Sequence, residues 1–132
     1  MNERRRITTA SPYEALFGFC RAIRVGNHIS ISGTAPIGPD GNTVSPNDAA
    51  QQARRCFDIM QAALEGLDAG LVDVVRTRMY LTHIEDWEVV GRVHGEYFGG
   101  VQPASTMVAV VRLIDPDWRV EFEADAIVGE SD

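Results

Sequence analysis

The chain has 132 residues, 45% of them hydrophobic, which suits a single domain around one packed core. Its formal net charge is −7, and all 12 basic residues are arginine. The acidic balance argues against general nucleic-acid binding, which draws most of its affinity from phosphate contacts. The lack of lysine excludes Schiff-base chemistry and a P-loop. No apolar run approaches the roughly 20 residues that a membrane helix needs.

The opening MNERRRITTASP has three arginines with no apolar segment behind them, unlike a secretory signal. It is expected to be a frayed tail, over about residues 1–12, on a cytoplasmic protein. CRAIRVGNHISISG, residues 20–33, reads as a hairpin around Gly26-Asn27. APIGPDGN then makes a turn-rich loop. Ser45 as N-cap and Pro46 at the first helical position predict a helix to about Asp68, closed by Gly70. Its apolar stripe is Ala53, Cys56, Phe57, Met60, Leu64 and Leu67. VDVVRTRMYL, residues 72–81, reads as a strand. Thr82 and Glu85 suggest a capping box for a second helix to about Phe98, with Trp87, Val90, His94 and Phe98 facing inward. Gly99-Gly100 ends it. Two strands, 104–113 and 118–128, follow around the turn signal IDPDW. Cys20 and Cys56 are expected to be reduced thiols.

This order predicts an α+β sheet with both helices packed on one face. In the strand 104–113, Met107, Ala109 and Val111 take one parity while Val108 and Val110 take the other. A strand with one wet face would alternate apolar with polar. Two helices cover only one side of the sheet, so the strand calls for a second copy of the chain to cover the other. The domain is therefore expected to be an obligate oligomer.

Few residues carry chemistry. His28, His83 and His94 have no metal-ligand spacing and there is no CxxC, so no metal site is expected. His94 falls on the apolar stripe and reads as a half-buried, satisfied histidine. In VEFEADAI, Glu121, Glu123 and Asp125 share one parity while Val120, Phe122 and Ala124 take the other. Arg76 and Arg78 share a parity on the strand 72–81. These charges form either structural ion pairs or a site in which one carboxylate acts as general base and an arginine anchors an acidic substrate.

Three landmarks in fixed order, RVGNHISISGTAP, AAQQARRCFDIMQAALEGLDAGLVDVVRTRMYL and QPASTMVAVVRL with VEFEADAI, span nearly the whole chain. Together they resemble the reactive intermediate deaminase (RidA/YjgF) family. The resemblance implies a chorismate-mutase-like α+β fold and a homotrimer whose sheets line a central barrel, with clefts between subunits. Family members hydrolyse reactive enamines and imines to 2-keto acids and ammonia without metal or cofactor. By motif, Glu121 takes the place of the water-positioning glutamate. Ser32 and Gly33 match the cleft-lining Ser-Gly, Met107 a position often held by cysteine, Phe19 an aromatic at the cleft border, and Gly91 an asparagine.

Position 105 departs from the pattern. Pro103 and Ala104 match the family's Pro-Ala-Arg-Ser motif, but Ser105 stands where its carboxylate-holding arginine belongs. A serine cannot make the bidentate charged grip of a guanidinium. The resemblance therefore leaves two readings: a cleft hydrolase or deaminase for a different small molecule, or a non-catalytic metabolite- or partner-binding trimer. An endoribonuclease is least favoured by the charge. Arg78 either pairs with Glu123 or Asp125 in the sheet or reaches the cleft as a substitute anchor.

Overall fold

The alternation in the last strand organises the molecule. The computed structural model describes residues 3–129. Strand β6 (Val120–Ile127) buries Val120, Phe122, Ala124 and Ala126, and turns Glu121, Glu123 and Asp125 to the opposite face. It lies at the centre of a six-stranded sheet ordered β1-β2-β3-β6-β4-β5. Its antiparallel neighbours are β3 (His28–Thr34) and β4 (Val74–Leu81). β2 (Ala22–Val25) forms the expected hairpin with β3, turning through Gly26 at φ +62°.

Helix α2 (Ala49–Gly66) lays Ala53, Cys56, Phe57, Met60 and Leu64 on the apolar face of the sheet. Helix α3 (Trp87–Phe98) adds Val90, Val93 and Phe98. Phe57 stacks on Phe122 with ring centroids 4.7 Å apart and meets Phe98 edge-on at 5.4 Å, which ties both helices to β6. Both cysteines are free; Cys56 is wholly buried, and burial raises its thiol pKa well above the ordinary value. No helix among the described residues is long and apolar enough to cross a membrane.

Several boundaries differ from the expectation. Residues 4–7 are no frayed tail: they form β1 (Arg4–Ile7), antiparallel to β2, while residues 1 and 2 lie outside the described residues. A short helix α1 (Tyr13–Phe17) follows and ends on Gly18 in the left-handed region, φ +79°. Ser45 and Asn47 have φ of +40° and +70°, which a helix cannot continue, so Asp48 is the N-cap instead. Its side chain accepts from the Gln51 backbone N–H at 3.0 Å. α2 stops at Gly66 because Asp68 is itself left-handed, φ +60°. α3 opens from a 3₁₀ turn at Ile84–Asp86 with no side-chain cap, and Trp87 is 57% exposed, so it leaves the apolar stripe.

The first of the late strands also changes meaning. β5 (Ala104–Ala109) ends four residues early and pairs in parallel with β4 at the edge of the sheet. Met107 and Ala109 sit beside Met79 and Leu81 on the helix side, while Thr106 and Val108 sit beside Arg78 and Tyr80 on the open side. The open face at the sheet centre is charged, with Arg78, Tyr80, Glu123 and Asp125 on it, as the shared parity of the carboxylates and arginines suggested. Exposed apolar side chains do follow β5, where Val111 is 94% and Ile114 75% exposed.

One buried ion pair holds the β3 end of the sheet. Arg21 and Glu14, both nearly inaccessible, meet through Nε and Nη2 on the same carboxylate oxygen, each at 3.2 Å. Arg21 also donates to Thr34 Oγ1 at 3.1 Å and to the Gly33 carbonyl, while Thr9 donates to Glu14 through both its amide and its hydroxyl. This clamps the β1–α1 connection against the bulge where β3 shifts register on β6, between Ile31 and Thr34. Removing one member leaves the other charged and buried, so Arg21→Met is expected to cost about 3–5 kcal/mol in urea denaturation. Arg21→Met with Glu14→Leu should recover much of that loss. A single-variant loss under about 1 kcal/mol would show that the pair does not hold this end.

Candidate functional site

The bulge in β3 makes the site. Gly33 stands where β3 presses on β6, and a Cβ there would come within 2.5 Å of Glu121 Oε2. Only a residue without a side chain lets that carboxylate lie against the backbone. Beside it opens a cavity of about 330 Å³. Phe19, Arg21, Gly33, Thr34 and Glu121 line its sheet end, and Tyr13, Phe17, Ile37, Arg55, Ile59 and Trp118 line the remainder. Of the residues expected to act, the structure brings Phe19, Gly33 and Glu121 together here. Ser32 is adjacent, its hydroxyl committed to the Cys20 carbonyl at 2.7 Å.

The electrostatics of Glu121 follow from its walls. Burial raises its pKa above the ordinary carboxylate value; the positive charge of Arg21 partly opposes this and the negative charge of Glu123 adds to it. Arg21 also has its guanidinium carbon 5.8 Å from the centre of the Phe19 ring. A carboxylate held in this way takes up and releases a proton closer to neutrality than an exposed one, as general acid–base work requires.

The other expected residues lie elsewhere. Gly91, Ser105 and Met107 gather at the α3–β5 edge, where the Gly91 backbone lies over the Met107 methyl group. β5 is two strand spacings from β6, roughly 10 Å, and Ser105 is on the helix side, the face opposite to that of Glu121. Ser105 Oγ accepts from Thr77 Oγ1 at 2.7 Å, and Thr77 Oγ1 is 2.8 Å from His94 Nε2. Thr77 has one proton, so giving it to Ser105 leaves Oγ1 to accept from Nε2–H of His94. Burial lowers the His94 pKa, which favours the neutral imidazole. Arg78 is on the open face, 3.2 Å from Asp125 and opposite Glu123 in the register, and does not line the cavity. Among the described residues no cluster of His, Cys, Asp or Glu could hold a metal ion.

Comparison with known proteins places this arrangement. Residues 8–128 match the family model described as Endoribonuclease L-PSP. A solved structure of a YjgF-family member from Mycobacterium tuberculosis is 39% identical, with a TM-score of 0.86 over 96% of this chain and 100% of that one. The chain belongs to the RidA/YjgF family. It is also similar to a RutC family protein of Pyrococcus abyssi, 37% identical over 82% of this chain and 84% of that one. The 2-iminobutanoate/2-iminopropanoate deaminase of Escherichia coli is 30% identical over 92% of this chain and 95% of that one. The six-stranded sheet with its helices on one face is the fold of this RidA/YjgF family.

Sequence reasoning missed several residues that shape the site. Arg21 and Glu14 give no periodic signal, because their pairing joins a short helix to a strand end. Gln52 could have been found: it is a polar residue on the apolar stripe of α2 and is fully buried. Its amide donates to the carbonyls of Val44, Ser45 and Asp117, and its oxygen accepts from the Arg119 N–H at 2.7 Å. Those bonds hold the loops on either side of Trp118, a cavity wall.

The close approach at Gly33 has a direct consequence. The nearest atom to an added methyl is the mobile end of Glu121, so Gly33→Ala should shift the carboxylate without upsetting the sheet. We expect a melting temperature within a few degrees of the parent and a changed Glu121 titration, followed by carboxyl-carbon NMR. An unmoved carboxyl titration would show that the glycine does not set its position.

Proposed function

We propose that the protein is a cofactor-independent hydrolase of small imines or enamines, acting at clefts formed between the subunits of a homotrimer. The observation that carries this is Glu121, half-buried in a cavity, free of any ion-pair partner within 4.0 Å among the described residues, with its pKa raised by burial. The similarity to a 2-iminobutanoate/2-iminopropanoate deaminase supports the reaction class. The trimer is supported by β5, which one chain leaves exposed along most of its length. In such an assembly the Gly91–Ser105–Met107 edge of one chain would close the Glu121 cavity of the next, joining two clusters that a single chain keeps apart.

The chemistry is addition followed by elimination. The Glu121 carboxylate takes a proton from water as the water oxygen attacks the sp² carbon of the C=N bond. The substrate reacts as the protonated imine, so the π electrons move onto a nitrogen that already carries its proton, leaving a neutral tetrahedral carbinolamine. Glu121 then returns its proton to the amine; the C–N bond breaks, ammonia leaves, and the hydroxyl proton is lost as the carbonyl forms. Apolar walls strengthen the carboxylate's electrostatic action by excluding water.

Ser105 shapes which substrate is accepted. A neutral hydroxyl held by Thr77, itself bonded to His94, stands where the resemblance places a carboxylate-binding arginine, which removes a charge-assisted bidentate contact. Clearance of 2-iminopropionate is therefore expected to be about tenfold to hundredfold below that of arginine-bearing relatives. Ser105→Arg should raise it, whereas parity of the parent with those relatives would show that position 105 is not the anchor. The same serine favours a second reading, a metabolite-binding trimer without turnover. Glu121→Gln separates the two: it should abolish imine hydrolysis while leaving ligand binding intact.

The pH dependence has a defined sign. Glu121 as base must be deprotonated, so activity should rise with pH along a limb displaced above the ordinary carboxylate value of 4.5. Its folded pKa lies above its unfolded one, so the native state holds more protons in that window and stability falls as pH rises through it. Glu121→Gln is then expected to be at least as stable as the parent at pH 7, by thermal denaturation. Light scattering after size-exclusion chromatography should give three chains per particle; a stable monomer at micromolar concentration would refute the shared cleft.

A further inference from the structure

Arg55 is an arginine with capacity to spare in an apolar place. It is half-buried on α2 and lines the Glu121 cavity. Its Nε donates to the Ile37 carbonyl at 2.8 Å, which fixes the base of the guanidinium fork. A guanidinium has five N–H donors, and among the described residues no carboxylate lies within 4.0 Å of this one, although the chain has 19 acidic residues. The other arginine at the cavity, Arg21, is saturated by Glu14, Thr34 and the backbone. A cation with a fixed stem, open donors and mostly apolar neighbours is suited to an anion.

The walls around it point to the remainder of the ligand. Tyr13 stacks near Phe17 at 6.2 Å and meets Trp118 edge-on at 6.1 Å, and the Trp118 indole is fixed by its N–H donated to Thr43 Oγ1 at 3.0 Å. These rings offer faces and edges to another ring. A cavity of about 330 Å³ suits one ring with a short substituent. Glu121 repels an anion set beside it, so a ligand with a charged group gains most by pointing that group at Arg55 and its reacting carbon at Glu121.

We propose that Arg55 is the specificity-determining anchor of this site and that the ligands are small aromatic carboxylates. The inference rests on the cavity being the functional site, as the proposed function holds. It would give a site with serine at 105 a means to select an anion, through a guanidinium carried on α2 of the same chain that supplies Glu121.

The test uses unreactive probes, so that it does not depend on turnover. Phenylacetate, its neutral amide phenylacetamide, and acetate are titrated into the full-length protein by calorimetry. Phenylacetate is expected to bind at least about tenfold more tightly than either of the others. Arg55→Gln should reduce the preference for the anion over the amide to within about twofold. Arg55→Lys, which keeps the charge and guards against a folding defect in the first variant, should retain part of it, and Arg78→Gln should leave it unchanged. Equal affinity for phenylacetate and its amide, a preference that survives Arg55→Gln, or no binding of phenylacetate at millimolar concentration would each overturn the anchor. Acetate binding as well as phenylacetate would overturn the aromatic part. Failure of imine hydrolysis with the Arg55-dependent preference intact would refute the hydrolase reading alone; hydrolysis without that preference would refute the anchor alone.

Discussion

The buried pair of Arg21 and Glu14 is the constraint on which the site depends. Two charges in so dry a place are tolerable only when each has further partners, and here every partner is part of the frame. Arg21 fastens the carbonyl of Gly33 and the hydroxyl of Thr34, so it fixes the bulge in β3. Glu14 collects Thr9, so it fixes the approach from β1 into α1. The bulge puts Gly33 against Glu121, and the approach puts Tyr13 and Phe17 over the cavity. Arg21 then tempers the rise in the Glu121 pKa that burial imposes. A structural ion pair and a tuned acid–base group thus share one guanidinium.

The sheet divides its charges by face. On the helix side the polar groups are few and fully answered: no buried side-chain nitrogen or oxygen among the described residues lacks a hydrogen-bond partner. Gln52 and Thr77 are buried there because each satisfies several partners at once. On the open side, Arg78 neutralises Asp125 and the Tyr80 hydroxyl donates to Glu123, linking β4 to β6. These pairs are part-exposed in the single chain, so solvent screens them and their contribution to its stability is small. Their order still shapes what can approach that face, which admits polar and not apolar cover.

β5 follows a different logic. It is the parallel edge strand, its outer backbone edge is unpaired in the chain, and most of its side chains are exposed. Natural edges of this kind are usually charged, twisted or covered. Here neither charge nor proline blunts the strand itself, and the hydroxyl of Ser105 is tied inward to Thr77, which is bonded in turn to His94. The strand thus presents an exposed edge, with a neutral hydrogen-bonding chain of Ser105, Thr77 and His94 on its helix side.

By itself the sequence determined the kind of fold and most of its elements. Period-two alternation in VEFEADAI and the helical spacing from Ala53 to Leu64 are local patterns, readable because they follow directly from strand and helix geometry. The ordered landmarks also disclosed the family, with Glu121 and Gly33 as residues to watch. Helix starts were less legible: Ser45-Pro46 carries the composition of a cap, but the loop's path forces Ser45 and Asn47 into left-handed backbone and moves the cap to Asp48. β1 was hidden because three successive arginines read as solvated, while pairing with β2 gives Arg5 an acidic partner in Asp68 at 3.0 Å. Only the tertiary structure decided that Glu121 and Gly33 touch, that Arg55 shares their cavity while Ser105 and Arg78 do not, and that Arg21 binds them into one frame. Those are contacts between segments far apart in the chain, and their partners are chosen by the register of the sheet and the bulge in β3, which no local spacing encodes.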